Sequence, residues 1–179
     1  MALVVLLRGV NVGGHRTFRP ATLAKELAHL GAVNFGAAGT FVIRGRVGRT
    51  ELRAELARRL PFDTEIVICE GREILRLMSR EAAARPPAPT GIVRFVSVLV
   101  RDPSESPSLP LSLPPSGEWF VRILARHGRL VVGEYRRHMK TIGHLGTLDR
   151  IFGVPVTTRN WNTMTAIARA LEVGTGGRA

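Results

Sequence analysis

The stretch Leu3–Arg16, LVVLLRGVNVGGHR, runs a short aliphatic segment directly into a glycine-rich loop. An apolar run that is too short for a helix and is followed by glycines predicts a buried strand over Leu3–Leu7. The loop after this strand holds the polar and flexible residues Arg8, Asn11, Gly13 and Gly14. Because functional residues gather on loops that a rigid scaffold supports, we predict that these four residues contribute to a ligand-binding site.

The residues after this loop predict a small antiparallel sheet with two helices. Pro20 suits the first turn of a helix that Gly31 would end, and Thr50 is the predicted N-cap of the second helix. The predicted elements are the strand Leu3–Leu7, a helix over residues 20–30, the strands Val33–Phe35 and Thr40–Ile43, a helix over residues 51–60, and the strand Glu65–Cys69. The resulting order β-α-β-β-α-β predicts a ferredoxin-like subdomain with both helices on one face of its antiparallel sheet.

The second half of the chain repeats the mixture of strands and helices after a proline-rich linker. A helix over Arg72–Glu81 is predicted before this linker. The predicted elements after the linker are a strand over Ile92–Val100, a long proline-rich connection over Arg101–Gly117, a hairpin of Trp119–Ala125 and Leu130–Gly133, a short helix over His144–Phe152, and a last helix from Asn160 to Gly174. We therefore predict an α+β protein with a ferredoxin-like subdomain at 1–85, a linker at 86–91, a second α+β subdomain at 92–174 and a disordered tail at 175–179.

The composition indicates a folded protein with an excess of arginine. The chain has 179 residues, of which 45% are hydrophobic and 22% charged, and its net charge is +12. A basic surface attracts nucleic acid and other polyanions, but the charge is spread evenly, with +6 in residues 1–91 and +6 in residues 92–179. The bases are 24 Arg and 2 Lys, a skew that genome composition also produces. Both explanations of the charge therefore remain open.

The sequence also bears on compartment and partners. Cys69 is the sole cysteine, so no internal disulfide can form. No apolar run reaches the ~18–20 residues of a membrane span, and Arg8 interrupts the apolar N-terminus that a signal peptide would need. We expect a cytoplasmic protein with no membrane partner, whose partner is an anionic small molecule or nucleic acid. Its oligomeric state is left open.

A second polar motif, Thr157–Thr163 with the sequence TTRNWNT, surrounds one tryptophan at the predicted start of the last helix. Such a segment can present backbone N–H groups, a guanidinium fork and a stacking ring to a ligand. Capping the helix needs only one of these residues, either Asn160 or Thr158. The candidate ligand-binding residues of this motif are Arg159, Asn160, Trp161 and Asn162.

The densest group of basic residues lies between Arg122 and Lys140. Alternation along a hairpin would place several of them on one face, as contact with a phosphate backbone requires. A charged hairpin edge that prevents unwanted strand pairing is an equally good explanation. The candidate phosphate contacts are Arg122, Arg126, Arg129, Arg136, Arg137 and Lys140.

Catalytic and metal motifs are missing from the sequence. The glycine spacing of the first loop fits neither a P-loop nor a dinucleotide fingerprint. The five histidines, His15, His29, His127, His138 and His144, show no metal-ligand spacing with Cys69 or a carboxylate. We therefore expect no metal and no cofactor, and the sequence leaves open whether the protein is an enzyme.

Two motifs carry a resemblance to a known family. LLRGVNVGG at Leu6–Gly14 and TTRNWNT at Thr157–Thr163 together resemble the signature of the bacterial domain of unknown function 1697. The resemblance implies two α+β subdomains, the first ferredoxin-like, and implies no activity. The chain departs from the usual Ser-Gly-Asn turn with Ala38-Gly39-Thr40, and from a Lys-rich continuation with His15-Arg16. If that Asn contributes to a polar site, Thr40 replaces only part of its hydrogen-bonding capacity.

Three functions are compatible with these observations. The leading hypothesis is an uncharacterised protein that binds a nucleotide or nucleic-acid phosphate in a cleft between its subdomains, lined by the two motifs. The first alternative is an enzyme acting on a small phosphorylated or acylated metabolite, with Asn11, His15 and Asn162 in one pocket. The second alternative is a structural or interaction protein in which the motifs bond the subdomains together.

Overall fold

The computed structural model describes residues 1–14 and 17–173, and over these residues the chain forms two antiparallel sheets with helices. The predicted α+β class is confirmed. The chain divides into two compact units: Met1–Met78 with the segment that begins at Thr165, and Ser79–Met164. We call them the first and the second unit. The predicted tail at 175–179 and the predicted helix end at Gly174 lie outside the described residues.

The first unit is built on a four-stranded sheet. Its elements are β1 (Leu3–Leu7), α1 (Pro20–Glu26), β2 (Ala32–Asn34), β3 (Thr40–Ile43), α2 (Arg49–Arg59), β4 (Ile66–Glu70) and the start of α3 (Gly71–Ala84). The sheet has the order β2-β3-β1-β4, and every neighbouring pair is antiparallel. This order agrees with the arrangement predicted from the β-α-β-β-α-β sequence of elements.

One face of this sheet packs against the first two helices. Leu3, Val5 and Leu7 alternate along β1 and join a buried cluster with Leu23 of α1 and Leu52 of α2. The side-chain period of two in a strand explains why alternate residues share this face. All five residues of β1 are buried, which is why its sequence is apolar at every position.

The second unit contains a five-stranded antiparallel sheet. Its elements after α3 are β5 (Ile92–Leu99), β6 (Leu111–Leu113), β7 (Val121–His127), β8 (Leu130–Arg136), α4 (Met139–Leu145), α5 (Leu148–Phe152), β9 (Val156–Asn160) and the start of α6 (Trp161–Val173). The strand order is β6-β7-β8-β5-β9. Phe95, Leu99 and Val131 from the sheet form a buried cluster with Leu148 and Phe152 of α5.

Several predicted element boundaries are wrong, and the first helix ends at Glu26, before a short 3₁₀ turn at Ala28–Leu30. Gly48, not Thr50, is the N-cap of α2, and a glycine has no side chain with which to cap the helix. The hairpin loop is predicted at residues 126–129, but in the structure it consists of residues 128 and 129 alone, because the pairing of β7 with β8 extends to His127 and Leu130. The helix predicted over His144–Phe152 is two helices, α4 and α5.

Two strands were not predicted at all. β6 lies inside the proline-rich connection and pairs with β7 at the edge of the sheet, where prolines on either side are tolerated. β9 is formed by the polar residues of the second motif, which pair with β5. Their short or polar sequences give no strong period of two, so the partner strand decides their conformation.

Residues 86–91 form no helix or strand. Among residues 1–14 and 17–173, no helix combines the length and the apolar character that crossing a membrane requires.

Candidate functional site

The first loop is held in place by the side chain of Asn11. Its amide nitrogen donates to the carbonyl oxygens of Phe18 (3.0 Å) and Ala37 (2.7 Å), and its Oδ1 accepts from the Phe18 N–H (2.9 Å). Both N–H groups of the amide are thereby used inside the first unit. Asn11 also has a positive φ of 54°, a conformation that asparagine tolerates better than most residues. These contacts support a structural role for Asn11 in shaping the loop.

The turn before β3 packs directly beneath this loop. Gly39 has φ +68°, and a Cβ there would lie 2.9 Å from Leu7 Cβ and from Val10 Cγ2. Thr40, which stands where the family usually has Asn, is fully buried in β3 opposite Leu6. The position of the family Asn is therefore part of the sheet of the first unit.

The remaining predicted residues of the first loop lie at its surface. Gly13 and Gly14 are exposed and have φ of +58° and +77°. Arg8 is half-buried, and its backbone bonds to Glu65 and Thr64. The ligand role of these residues stays a prediction, and His15 lies outside the described residues.

The second motif forms the junction between β9 and α6. Strand β9 ends at Asn160, whose Oδ1 accepts a hydrogen bond from the Thr163 N–H at 2.9 Å. Asn160 is therefore the N-cap of α6, as one of the two predicted alternatives had it. Trp161 and Asn162 follow in the first turn of the helix.

Arg159 lies in β9, where side chains alternate between the two faces of the sheet, so it does not share a face with Thr158 or Asn160. It is opposite Val96 in the β5–β9 register and is buried, and its Nη1 donates to Thr157 Oγ1 and the Thr158 carbonyl oxygen, both at 2.9 Å. Burial lowers the pKa of Arg159 to about 10, so the guanidinium is still charged at neutral pH. The predicted ligand role of Arg159 stays a prediction.

The other three residues of the motif line one cleft of about 480 Å³ in the second unit. Its lining residues are Ala82, Arg85, Pro87, Ala88, Ile92, Val93, Arg94, Tyr135, Arg137, Asn160, Trp161 and Asn162. We call it the motif cleft. Its volume lies within the range of about 300–1,000 Å³ that is typical of small-ligand sites.

Three polar groups on the walls of this cleft have no partner in the described part of the chain. The side chains of Arg137 and Asn162 make no hydrogen bond or ion pair with any residue that the structure describes, and the same holds for the Nδ2 group of Asn160. They stand beside the rings of Trp161 and Tyr135. The motif cleft therefore offers a guanidinium, two amides and two aromatic rings to a ligand.

A buried ion pair supports the floor of the motif cleft. Arg94 donates to Glu134 Oε1 from Nε (3.2 Å) and Nη2 (2.7 Å), and Nη2 also donates to the Pro86 carbonyl oxygen (2.9 Å). Its guanidinium carbon lies 5.6 Å from the ring centroid of Trp161, a cation–π distance. Arg94 thus ties together β5, β8, the linker and the tryptophan of the second motif.

The predicted group of basic residues is divided by the structure. The guanidinium carbons of Arg122 and Arg136 lie 4.2 Å and 4.6 Å from the ring centroid of Trp119. Arg126 donates to the Gly128 carbonyl oxygen, and Arg129 donates to the carbonyl oxygens at the end of β5. Lys140 Nζ lies 5.5 Å from the ring centroid of Phe120. Of the six predicted phosphate contacts, Arg137 is the one that lines the motif cleft, and the phosphate role of the group stays a prediction.

Arg85, on another wall of the motif cleft, is anchored by the buried carboxylate of Glu81. Glu81 accepts from Arg85 Nε at 2.7 Å, and its other oxygen is 2.8 Å from His127 Nε2. Burial raises the pKa of Glu81, but the bonds from His127 and Arg85 outweigh it, so the pKa is lowered from the ordinary value of 4.5. The charged form of Glu81 therefore stabilises the folded state.

A pH dependence of stability follows from this lowered pKa. The contribution of Glu81 is fully present above the unfolded-state pKa and is lost as the pH falls through the lower, folded-state pKa. We expect Glu81→Gln to reduce the free energy of unfolding at pH 7 by about 1–3 kcal/mol. This difference from the wild type should become smaller once the pH falls below 4.5, the ordinary pKa of a glutamate. Urea unfolding between pH 7 and pH 3 measures this difference. The control is Glu105→Gln, because Glu105 is exposed and forms no ion pair with any basic side chain that the structure describes. A difference between Glu81→Gln and the wild type that does not change with pH would contradict the assignment.

Among the charged and aromatic residues that line the motif cleft, the sequence analysis missed three, namely Arg85, Arg94 and Tyr135. Arg94 had a signal, since a charged residue inside the apolar strand IVRFVSVL must find a partner when it is buried. No sequence signal marked Arg85 or Tyr135, because their positions depend on how α3 and β8 pack against β5. Among the residues that the structure describes, no three His, Cys, Asp or Glu side chains come close enough to hold a metal ion.

Comparison with known proteins gives a family and a fold. The family model described as "Protein of unknown function (DUF1697)" matches residues 1–109. The chain is also similar to the conserved bacterial protein SP0830 from Streptococcus pneumoniae, with a TM-score of 0.61 and 16% sequence identity over 95% of this chain and 98% of that one. At this identity the likeness shows the fold alone. No functionally curated protein matches the chain significantly.

Proposed function

Since the chain belongs to the DUF1697 family, whose description assigns no activity, we propose from the geometry of the motif cleft that the protein binds a phosphate-bearing ligand there. The observation that carries this proposal is the guanidinium of Arg137, which has no partner among residues 1–14 and 17–173 and lines the motif cleft together with Asn160, Trp161 and Asn162. A planar guanidinium fork matches the oxygens of a phosphate group.

The remaining walls favour a nucleotide over a bare anion. Trp161 and Tyr135 supply aromatic rings, and Ile92 and Val93 supply apolar surface. A ligand with a planar base and a phosphate would use both kinds of wall, whereas inorganic phosphate would use only the cations. The net charge of +12 adds a general attraction for anions. We propose that this binding takes place in the cytoplasm.

The proposal is tested by titrating adenosine 5′-monophosphate (AMP) into the protein in a calorimeter, with adenosine as the neutral comparison. We expect saturable binding of AMP that is at least about tenfold tighter than that of adenosine, because hydrogen bonds to a charged group are worth about 1.5–3 kcal/mol. We expect Arg137→Gln to weaken AMP binding by about the same factor.

The matched control is Arg150→Gln, which removes an exposed arginine of the second unit that does not line the motif cleft. This variant should bind AMP like the wild type. Equal affinities of AMP and adenosine, equal affinities of the two variants, or the absence of saturable AMP binding at millimolar concentration would each reject the proposal.

A further inference from the structure

A second cleft, of about 300 Å³, adjoins the motif cleft in the second unit. Its walls include Phe120, Arg136 and His138, and we call it the histidine cleft. Ile92 and Arg137 line both clefts. The guanidinium of Arg137 therefore lies where the two neighbouring clefts meet.

His138 presents a fixed planar surface to the histidine cleft. Its ring is stacked on Phe120 with centroids 4.7 Å apart, and its Nδ1 accepts from the Lys140 N–H at 3.1 Å. Because Nδ1 accepts, the neutral ring carries its proton on Nε2, which makes no hydrogen bond with any described residue. The ring thus offers both a stacking face and a hydrogen-bond donor.

The histidine cleft also contains a cation that is only partly used. Arg136 Nη1 lies 3.5 Å from Glu118 Oε1, while its Nε is buried and has no hydrogen-bond partner among the described residues. The histidine cleft therefore combines an aromatic surface with a guanidinium, as the motif cleft does with Trp161 and Arg137. Two such combinations in adjoining clefts suit a ligand made of repeating units, each with a planar ring and a phosphate group.

We propose that the two clefts bind successive nucleotides of a single-stranded nucleic acid, with the phosphate between them at Arg137. This inference rests on the proposed function and names its ligand class. One base stacks in the motif cleft beside Trp161, and the next stacks on His138. Proteins that bind single strands use this combination of a basic groove and aromatic side chains on which bases stack.

The test compares the 5′-phosphorylated dinucleotide pApA with AMP by calorimetry on the full chain. We expect pApA to bind at least about tenfold more tightly than AMP, since stacking is worth about 1–3 kcal/mol per base. His138→Asn removes the ring but keeps a residue that caps helices well, so α4 should remain folded. This variant should lower pApA affinity to the level of AMP and leave AMP affinity unchanged.

Two controls separate recognition from charge and from local damage. Met139→Ser changes the exposed neighbour of His138, which lines neither cleft, and should bind pApA like the wild type. Tripolyphosphate carries charge without rings and should bind at least about tenfold more weakly than pApA, because it cannot stack.

The outcomes distinguish this inference from the proposed function. If AMP binds in an Arg137-dependent way but pApA binds no more tightly, or if His138→Asn leaves pApA binding unchanged, the two-nucleotide site is rejected and the proposed function stands. Tripolyphosphate binding as tight as that of pApA also rejects it. If neither AMP nor pApA binds, the proposed function fails as well.

Discussion

Replacing Gly133 by alanine is expected to destabilise the second unit by about 3 kcal/mol or more, at the upper end of what overpacking a core costs. Gly133 lies in β8 opposite Phe95 and Ile123. A Cβ at this position would lie 2.4 Å from Phe95 Cζ and 2.7 Å from the Arg122 carbonyl oxygen. Neither neighbour can move away easily to make room for the Cβ, because Phe95 is fully buried and the Arg122 oxygen belongs to the backbone of β7. Urea unfolding followed by circular dichroism measures the loss.

The consequence extends to the motif cleft, because Phe95 also supports Tyr135. The two rings are stacked with centroids 5.9 Å apart, and Tyr135 lines the cleft. The control is Gly143→Ala in α4, where a Cβ meets nothing within 4 Å. Alanine is favoured over glycine in a helix, so this variant should be neutral or more stable by up to about 1 kcal/mol. In a Phe95→Leu background, the loss of stability caused by Gly133→Ala should be smaller. A loss below about 0.5 kcal/mol for Gly133→Ala alone would contradict the close packing of Gly133 against Phe95 and β7.

The second large effect is expected from Arg94→Met. The variant leaves the carboxylate of Glu134 without its guanidinium in a site where both side chains are largely buried, at 8% and 13% exposure. Removing one partner of a buried ion pair typically costs about 3–5 kcal/mol, because a charge stays in a poorly solvated place. We expect a loss of that size in the free energy of unfolding, measured in urea at neutral pH.

The double variant Arg94→Met/Glu134→Leu separates the ion pair from simple packing. Removing both charges leaves no uncompensated carboxylate, so the double variant should be more stable than Arg94→Met alone. Arg94→Lys keeps the charge but cannot reproduce the contacts with Glu134 and Pro86 from one fork, so it should be intermediate. A double variant that is less stable than Arg94→Met would contradict this explanation, because the uncompensated carboxylate would then not be the source of the loss.

Parts of the fold and of the site could be predicted because they depend on local sequence. β1 and β3 have the predicted bounds, Leu3–Leu7 and Thr40–Ile43, since each is a short apolar run next to glycine. The type and spacing of the residues in TTRNWNT were enough to identify a polar motif and to narrow its helix cap to Asn160 or Thr158, of which the structure shows Asn160. They were not enough to show that the same motif begins as strand β9.

The sequence by itself determined the α+β class, the family signature, and the identity of the residues at the start of α6. Only the tertiary structure decided that β9 pairs with β5, and that Arg137, which directly follows β8, lines the same cleft as Asn160 and Trp161. The physical reason is that caps and apolar periods act over a few residues, whereas a cleft needs side chains from distant strands. Which distant strands meet is set by register and packing, and neither can be read from the local pattern.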